Sequence, residues 1–339
     1  MPLKKFAVEN FHRINKFSKT ISVDSDKSIS IRSFLISAIS LDVSHINNAL
    51  ESEDVISTIR CLKKLNVKII KKNPGKYLVY GKGLGSLNCK KKTVLNCENS
   101  GTLSRLLVGI LSTTPNIDVI IKGDHSLNKR NMKKLIKLMN SFGAEFSPIK
   151  KENFPLRLIS SEIPLGINYK AGVSAQLKSA AILAGLNSYG QTFIEEKIKS
   201  RDHTENMLKA NKKSISVKKG DANIIKINGK NQLQKINITV PGDPSSAAFF
   251  CALTILNTNC KLKIKNVQLN RTRIGFYEIL KKSGAKIKFT NIKLKNGERI
   301  GDILVKSSKL KPLRASKVFY PKTADEYPIL FVIASLIKG

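Results

Sequence analysis

Five apolar stretches, each opened by small polar residues, recur along the chain and predict five buried helices. They begin near Ser28, Thr102, Ser174, Ser245 and Asp325, so the intervals between them are 74, 72, 71 and 80 residues. Each stretch is rich in Ala, Leu and Ile and is long enough for a buried helix. A Ser, Thr or Asp at such a start suits an N-cap, where its side-chain oxygen accepts from free backbone N–H groups. The regular spacing predicts a repeated structural unit.

A second, amphipathic helix is predicted between successive buried helices. Clear copies lie in residues 52–70, 129–146 and 271–289, and a weaker copy lies in residues 201–217. Two of the clear copies contain a Gly-Ala pair, which begins at Gly143 in one and at Gly284 in the other. Glycine at such a position can adopt the left-handed conformation that ends a helix. Short β-branched runs such as VIIKG, INITVPG and ILVKS predict strands. The unit is therefore a helix, strands, a second helix and a further strand.

This pattern predicts an α/β protein with two globular domains, each ideally built from three units with helices inside and sheets outside. Residues 25–242 are predicted to form a complete three-repeat domain. Residues 1–24 and 243–339 are predicted to form the second domain, which lacks half of one unit and all of the next. Because a repeat of this kind cannot bury its apolar face alone, we expect the second domain to be unstable or incompletely packed.

Composition excludes several classes of protein. The chain has 339 residues, of which 41% are hydrophobic, enough for a sizeable core. It has no apolar run of about 18 residues, so we predict no membrane-spanning helix, and the basic N-terminus lacks the apolar region of a signal peptide. Five cysteines without C-x-x-C spacing and four scattered histidines predict neither a disulfide framework nor a metal site. They favour a reducing, cytoplasmic location.

The formal net charge of +36, from 60 basic and 24 acidic residues, allows three interpretations. A nucleic-acid-binding protein is one, but the lysines are spread along the chain and aromatic residues are only 6%, too few for base-stacking platforms. A solvated lysine surface is the second. The third is an anionic substrate, because the free N–H groups and dipole of a helix N-terminus already favour anions, and the repeat supplies several such ends.

Seven short motifs occur in order between residues 24 and 339. They are D-K-S-I-S-x-R from Asp26, N-S-G-T from Asn99, G-D-x-S-L-x-x-R from Gly123, S-A-Q-x-K-S-A from Ser174, S-R-D-H-T-E-x-M-L from Ser200, V-P-G-D-P-S-S-A-A-F from Val240 and D-E-x-P from Asp325. Together they resemble the EPSP synthase (3-phosphoshikimate 1-carboxyvinyltransferase) family. The resemblance implies the two-domain enolpyruvyl transferase fold, an inside-out α/β barrel of βαβαββ-like units, here without its last repeats.

The resemblance also implies a reaction. The family transfers the enolpyruvyl group of phosphoenolpyruvate to the 5-hydroxyl of shikimate 3-phosphate, releases phosphate, uses no cofactor or metal, and is the target of glyphosate. The substrates carry two phosphates and two carboxylates, which favour Arg and Lys as ligands, and protons must leave the hydroxyl and reach the enol methylene. The implied partners are these two small molecules, with no nucleic acid and no membrane, and we expect a monomer.

Site residues follow from the same resemblance. Lys27 would contact both substrates at the reacting centre, and Asp325 would accept the proton of the 5-hydroxyl. The residues implied for shikimate 3-phosphate are Lys27, Ser28, Arg32, Ser174, Ala175, Gln176, Arg201 and Asp325. Those implied for phosphoenolpyruvate are Lys27, Asn99, Gly101, Thr102, Arg130 and Gln176. Structural roles are expected for His203, Ser245 and Ser246, and Lys178 is expected to face a partner or solvent.

Three alternatives remain open at this point. The sister enolpyruvyl transferase acting on UDP-N-acetylglucosamine usually has Lys-Asn where this chain has Lys27-Ser28. A basic nucleic-acid-binding protein is the second. The third is a catalytically incompetent relative that still binds shikimate 3-phosphate, because the family's later K-E-S-D-R motif, a later arginine motif and a final lysine are absent; we expect negligible activity if residue 339 is the natural end. For the completed enzyme, Gly101 implies sensitivity to glyphosate.

Overall fold

The computed structural model describes residues 16–150 and 152–337, so residues 1–15 and 338–339 of the predicted second domain lie outside the described residues. The described strands are β1 (Phe17–Ile21), β2 (Val43–Asn47), β3 (Ile69–Asn73), β4 (Lys76–Tyr80), β5 (Thr93–Asn96), β6 (Asp118–Lys122), β7 (Glu145–Lys150), β8 (Asn153–Ile159), β9 (Asn168–Ala171), β10 (Gln191–Glu196), β11 (Ile215–Lys218), β12 (Asn223–Asn228), β13 (Asn237–Thr239), β14 (Cys260–Gln268), β15 (Lys286–Lys295) and β16 (Glu298–Lys306). The described α-helices are α1 (Lys27–Ala38), α2 (Glu53–Lys64), α3 (Gly101–Ser112), α4 (His125–Asn128), α5 (Lys133–Asn140), α6 (Ala175–Leu186), α7 (His203–Leu208), α8 (Pro244–Leu256), α9 (Gly275–Lys282), α10 (Tyr320–Thr323) and α11 (Tyr327–Ser335).

Four sheets of four strands repeat one topology. Their orders are β13-β2-β4-β3, β5-β6-β8-β7, β9-β10-β12-β11 and β1-β14-β16-β15. In each sheet the first pair is parallel and the next two pairs are antiparallel. The four units that the spacing predicts are therefore present as four sheets of the same topology. Each unit also contains one of the buried helices.

Two strands pair with partners that are distant in the sequence. Strand β13 returns to pair with β2, which closes the first three units on themselves. Strand β1 instead pairs with β14, register Phe17 with Cys260. The start of the described chain is thus attached to its second half.

Four of the five predicted buried helices have a side-chain cap, and in three of them the cap lies two residues earlier than the sequence pattern indicates. Asp26, Ser100 and Ser174 accept from the backbone N–H three positions on in α1, α3 and α6, and Asp243 accepts from the N–H of Ser245 in α8. Of the predicted cap positions, only Ser174 is itself a cap. Ser28, Thr102 and Ser245 instead fall in the first turns of α1, α3 and α8. Asp325 lies just before Glu326, the residue at the start of α11, which makes no side-chain capping hydrogen bond.

Two helices close through glycine as the sequence predicts. Gly143 has φ 90° after α5, and Gly284 has φ 97° after α9. A side chain in this left-handed conformation is strained, so glycine is the favoured residue at both positions.

Two hydrophobic cores form. The first runs from Ile29 to Val240 and contains α1, α3 and α6, and the second runs from Ala247 to Ile333, with strand β1 packed against it. Helices α8 and α11 in the second core also carry exposed apolar side chains; Phe249 is 57% and Phe331 68% exposed, and Phe250 and Val332 are exposed beside them.

Within the described residues, every helix is too short or too polar to cross a membrane.

Candidate functional site

A pocket of about 280 Å³ lies where the two cores meet. Its lining comes from the first two turns of α1, the starts of α3 and α6, the segment before α7, helix α10 and the residues between α10 and α11. The lining residues are Ser28, Arg32, Thr102, Val173, Ser174, Ala175, Gln176, Ser200, Arg201, Tyr320, Pro321, Ala324 and Asp325. Eight of the twelve residues that the sequence assigns to a site are in this list; Lys27, Asn99, Gly101 and Arg130 are not.

Arg32 is a buried cation in the pocket wall. Its Nε donates to Thr204 Oγ1 at 3.0 Å, its Nη2 to Ser179 Oγ at 3.3 Å and its Nη1 to the carbonyl of Ser28 at 3.0 Å. Burial lowers the pKa of Arg32 to about 10, so the guanidinium keeps its charge at neutral pH. Helices α1, α6 and α7 therefore hold one fixed positive charge in place.

Gln176 links the starts of α3 and α6. Its Oε1 accepts from Arg105 Nη1 at 2.9 Å, and its Nε2 donates to Thr102 Oγ1 at 3.1 Å. Arg105 also donates to the carbonyl of Gly101 at 3.0 Å. The sequence analysis missed Arg105, although it lies four positions after Gly101 and so on the same face of α3.

A second group of cations surrounds Gly101, next to the pocket. A Cβ placed on Gly101 would lie 2.8 Å from Nη1 of both Arg105 and Arg130. Arg130 Nη2 donates to Asn99 Oδ1 at 3.1 Å, and Asn99 donates in turn to Asp124 at 3.0 Å. Burial, followed by the nearby charge of Arg130, lowers the pKa of Arg105. Two guanidinium groups of like charge thus face the same glycine, an arrangement that an anion between them would stabilise.

Lys27 lies outside the pocket lining. Its Nζ is 3.0 Å from Asp54 Oδ2, and its side chain is half exposed. Lys27 is the first residue of α1 and precedes Ser28, which lines the pocket.

Asp325 and Arg201 face each other across the pocket. Arg201 Nη2 donates to Asp325 Oδ2 at 2.6 Å. Burial opposes the charge of Asp325, but Arg201 and Arg273 outweigh burial and lower its pKa. Burial lowers the pKa of Arg201, and the charge of Arg273 lowers it further. The aspartate is therefore ionised at neutral pH and able to accept a proton.

Arg273 connects the caps of two helices and was missed by the sequence analysis. Its Nη2 lies 3.0 Å from Asp243 Oδ1, 2.8 Å from Ser245 Oγ and 3.8 Å from Asp26 Oδ2. Ser245 also donates to Glu326. The start of α1 in the first core is thereby joined to the start of α8 in the second, and Ser245 has the structural contacts expected of it.

The expectation for Lys178 is wrong, because this side chain is completely buried. Its Nζ lies 2.6 Å from Glu196 Oε1 and 2.7 Å from Glu205 Oε1. Glu196 also accepts from the backbone N–H and the hydroxyl of Ser200, at 2.9 and 2.7 Å. Lys178 lies on the face of α6 that packs inward, where charge is stable only when paired.

His203 has the structural contact that the sequence analysis expects. It is buried, and its Nδ1 lies 2.8 Å from Glu298 Oε1. Because Glu298 begins strand β16 of the second core, this pair joins the two cores behind the pocket.

The described residues contain no group of three or more His, Cys, Asp or Glu side chains placed to hold a metal ion.

Comparison with known proteins identifies relatives over almost the whole chain. The family model EPSP synthase (3-phosphoshikimate 1-carboxyvinyltransferase) matches residues 11–339. The chain is 40% identical over 327 residues to the 3-phosphoshikimate 1-carboxyvinyltransferase of Caldicellulosiruptor bescii, covering 96% of this chain and 74% of the relative. It is 38% identical over 324 residues to that of Zymomonas mobilis, covering 95% and 71%.

Solved structures confirm the predicted fold. An EPSP synthase from Acinetobacter baumannii superposes with a TM-score of 0.85 at 36% identity, covering 96% of this chain and 73% of that one. An enolpyruvyl transferase from Streptomyces tendae superposes with a TM-score of 0.72 at 13% identity, covering 96% and 74%; at that identity the likeness concerns the fold alone.

Proposed function

The chain belongs to the EPSP synthase family, and on that premise we propose how its residues carry out the family's reaction. As a 3-phosphoshikimate 1-carboxyvinyltransferase it transfers the enolpyruvyl group of phosphoenolpyruvate to the 5-hydroxyl of shikimate 3-phosphate, giving 5-enolpyruvylshikimate 3-phosphate and phosphate. This is a step of the shikimate pathway toward chorismate and the aromatic amino acids.

Shikimate 3-phosphate binds in the pocket of about 280 Å³. Its phosphate lies at the start of α6, where Ser174 and Ala175 present the free N–H groups of a helix N-terminus. Its carboxylate lies at Ser28 and at Arg32, which is held rigidly by Thr204 and Ser179. Because these groups are ordered before the substrate arrives, little side-chain entropy is lost on binding.

Phosphoenolpyruvate binds beside it, toward Gly101. Arg130 and the start of α3, with Asn99 and Thr102, supply the anion site, and Arg105 supplies a further cation. Gln176 lies between the two substrates because it already joins α3 and α6. Lys27 leaves Asp54 and bridges both substrates at the reacting carbon.

Asp325 accepts the proton of the 5-hydroxyl. Arg201 and Arg273 hold the pKa of this carboxylate below its usual range against the opposing effect of burial, which makes it a weak base. When an anionic group of shikimate 3-phosphate engages Arg201, the carboxylate loses part of that stabilisation and its pKa rises, so it becomes a stronger base only once substrate is present.

We further propose that the two cores correspond to two domains, residues 25–242 and residues 1–24 with 243–339, which close on the pocket. The pairing of β1 with β14 and the separation of the hydrophobic cores support this division. We also propose that the protein is a cytoplasmic monomer whose partners are its two substrates and not nucleic acid.

The main support for this proposal is that eight of the twelve predicted site residues line the same pocket. Titration calorimetry of shikimate 3-phosphate into the chain tests it, followed by addition of phosphoenolpyruvate with phosphate release recorded. We expect Arg32→Lys to weaken shikimate 3-phosphate binding about 10- to 100-fold, since a charge-assisted hydrogen bond contributes about 1.5–3 kcal/mol.

Arg60→Lys is the matched control, because Arg60 is exposed on α2, and it should leave the affinity unchanged. Equal affinities for the Arg32 and Arg60 variants, or a folded chain that does not bind shikimate 3-phosphate, would contradict the assignment of the pocket.

A further inference from the structure

A second and larger cavity, of about 510 Å³, lies between α7 and strands β11 and β12. It touches the pocket described above at Ser200, which lines both. None of the substrate-site residues proposed above lines it. A cavity of this size is in the range that encloses a small organic ligand.

Unpaired acceptors lie in the wall of this second cavity. Glu205 is 7% exposed; its Oε1 is bound by Lys178 at 2.7 Å, whereas its Oε2 has no partner among the described residues. Asn223 donates to Glu196 at 3.3 Å, and its Oδ1 also has no partner in the described part of the chain. Both oxygens are covered by the protein, and a buried acceptor without a donor is unfavourable. A ligand donor that these two side chains turn to meet would therefore stabilise this wall.

The side wall is apolar. Ile215 and Ile225 are buried in the sheet, and Val217 of β11 is exposed at the opening. These side chains give an apolar ligand body a surface to cover, and covering it removes apolar area from water.

The rim is cationic. Lys199, Lys209, Lys212 and Lys219 line the cavity and are exposed. Within the described residues, 16–150 and 152–337, none of these four lysines forms an ion pair. Their charges are therefore available to an anion that sits at the opening.

We propose that this second cavity binds an organic anion of a defined kind. Its phosphate or carboxylate group lies among the rim lysines, its apolar body lies against Ile215, Val217 and Ile225, and a hydrogen-bond donor at its far end reaches Glu205 and Asn223. An amine or a hydroxyl on a ring meets the last requirement. The ligand is distinct from both substrates, which bind on the other side of Ser200.

The probe for this proposal is 4-aminophenyl phosphate, which combines the three features, titrated into the full chain by calorimetry. We expect one molecule to bind per chain and shikimate 3-phosphate not to displace it. The double variant Lys212→Glu/Lys219→Glu should weaken binding about tenfold or more, because two ligand charges are reversed. The matched control is Lys213→Glu/Lys218→Glu, which makes the same change of charge at exposed neighbours that do not line the cavity.

Two further measurements separate the features of the ligand. Phenyl phosphate lacks the donor and should bind more weakly than the amine, and Val217→Trp should block the opening and remove binding of both. Failure of the probe to bind, displacement by shikimate 3-phosphate, or equal affinity of the two double variants would overturn the proposal. The comparison of the two double variants does not use shikimate 3-phosphate. It therefore tests the second cavity even if shikimate 3-phosphate does not bind in the first pocket.

Discussion

Arg201 donates a 2.6 Å hydrogen bond to Asp325, 124 positions further along the chain. Arg201 precedes α7 of the first core, and Asp325 precedes α11 of the second. The pair therefore spans the boundary between the two cores at the pocket itself. In the mechanism that we propose, an anionic substrate competes for Arg201, so that the same event which fills the pocket changes the basicity of Asp325.

Asp325→Asn should separate binding from chemistry. The amide keeps the shape of the side chain but cannot accept the 5-hydroxyl proton, so we expect phosphate release to fall about 10²- to 10⁴-fold, the usual contribution of a general base. Shikimate 3-phosphate should bind as tightly as before or more tightly, because a negative charge has left the site. Asp24→Asn, at an exposed residue just before α1, is the control for both readouts. Unchanged phosphate release in Asp325→Asn would remove the residue from the mechanism.

Gly101→Ala should affect one substrate and not the other. The added methyl group would lie 2.8 Å from the guanidinium groups of Arg105 and Arg130, so both must move. We expect the KM for phosphoenolpyruvate to rise about tenfold, equivalent to about 1.4 kcal/mol, with little change in shikimate 3-phosphate affinity. Gly172→Ala is the matched control, since no atom lies within 4 Å of a Cβ at that position. A rise in KM of equal size in both variants would show that the effect is not local to the arginines.

Lys178→Met should destabilise the fold strongly. It leaves Glu196 and Glu205 buried without their cation, and breaking a buried pair in this way costs about 3–5 kcal/mol of unfolding free energy. Adding Glu205→Gln should recover part of the loss, because one uncompensated charge is then removed. Urea unfolding of both variants measures this, with Lys170→Met at an exposed position as control. A loss no larger than that of the control would mean that the buried pair contributes nothing.

Glu51 should make stability depend on acid pH. The N–H of Gly75, followed by Lys71 and the hydroxyl of Tyr77, lowers the pKa of Glu51 from 4.5 to about 2. Since the folded-state pKa is the lower one, the stabilisation is fully present above the unfolded value of 4.5 and is lost as pH falls toward 2. Because the carboxylate is near the surface and partly screened, we expect Glu51→Gln to cost about 1 kcal/mol at neutral pH.

Urea unfolding at neutral pH and at about pH 3 checks the sign, since the difference between the Glu51 variant and the parent should shrink at the lower pH. Glu162→Gln, at an exposed residue, should show no such convergence. A difference that stays constant over this range would assign the effect to packing instead of charge.

Local pattern was sufficient to predict the repeat and much of the site. Thr102 and Gln176 lie in the first turns of α3 and α6, and Arg32 lies one turn further into α1. The motif that marks each helix start therefore also marks side chains that line the pocket. The same reasoning predicted the turns at Gly143 and Gly284, because a helix end is a local event.

Residues whose partners are distant in sequence could not be predicted in this way. Lys178 is charged, and only the tertiary structure shows that Glu196 and Glu205 neutralise it in the interior. Arg273 forms an ion pair with Asp26, which lies 247 positions earlier in the sequence. A contact over this distance leaves no periodic pattern in a single sequence. Arg105 was accessible in principle, since its spacing from Gly101 places both on one face of α3.

The exposed Phe249, Phe250, Phe331 and Val332 on α8 and α11 also govern how the molecules behave toward one another. An exposed apolar surface of this kind promotes self-association of the protein. Because apolar attraction strengthens as water warms from the cold, light scattering of a concentrated sample should rise on warming and fall again on cooling. Shelf life and crystallisability of this chain therefore depend on side chains that do not line the pocket.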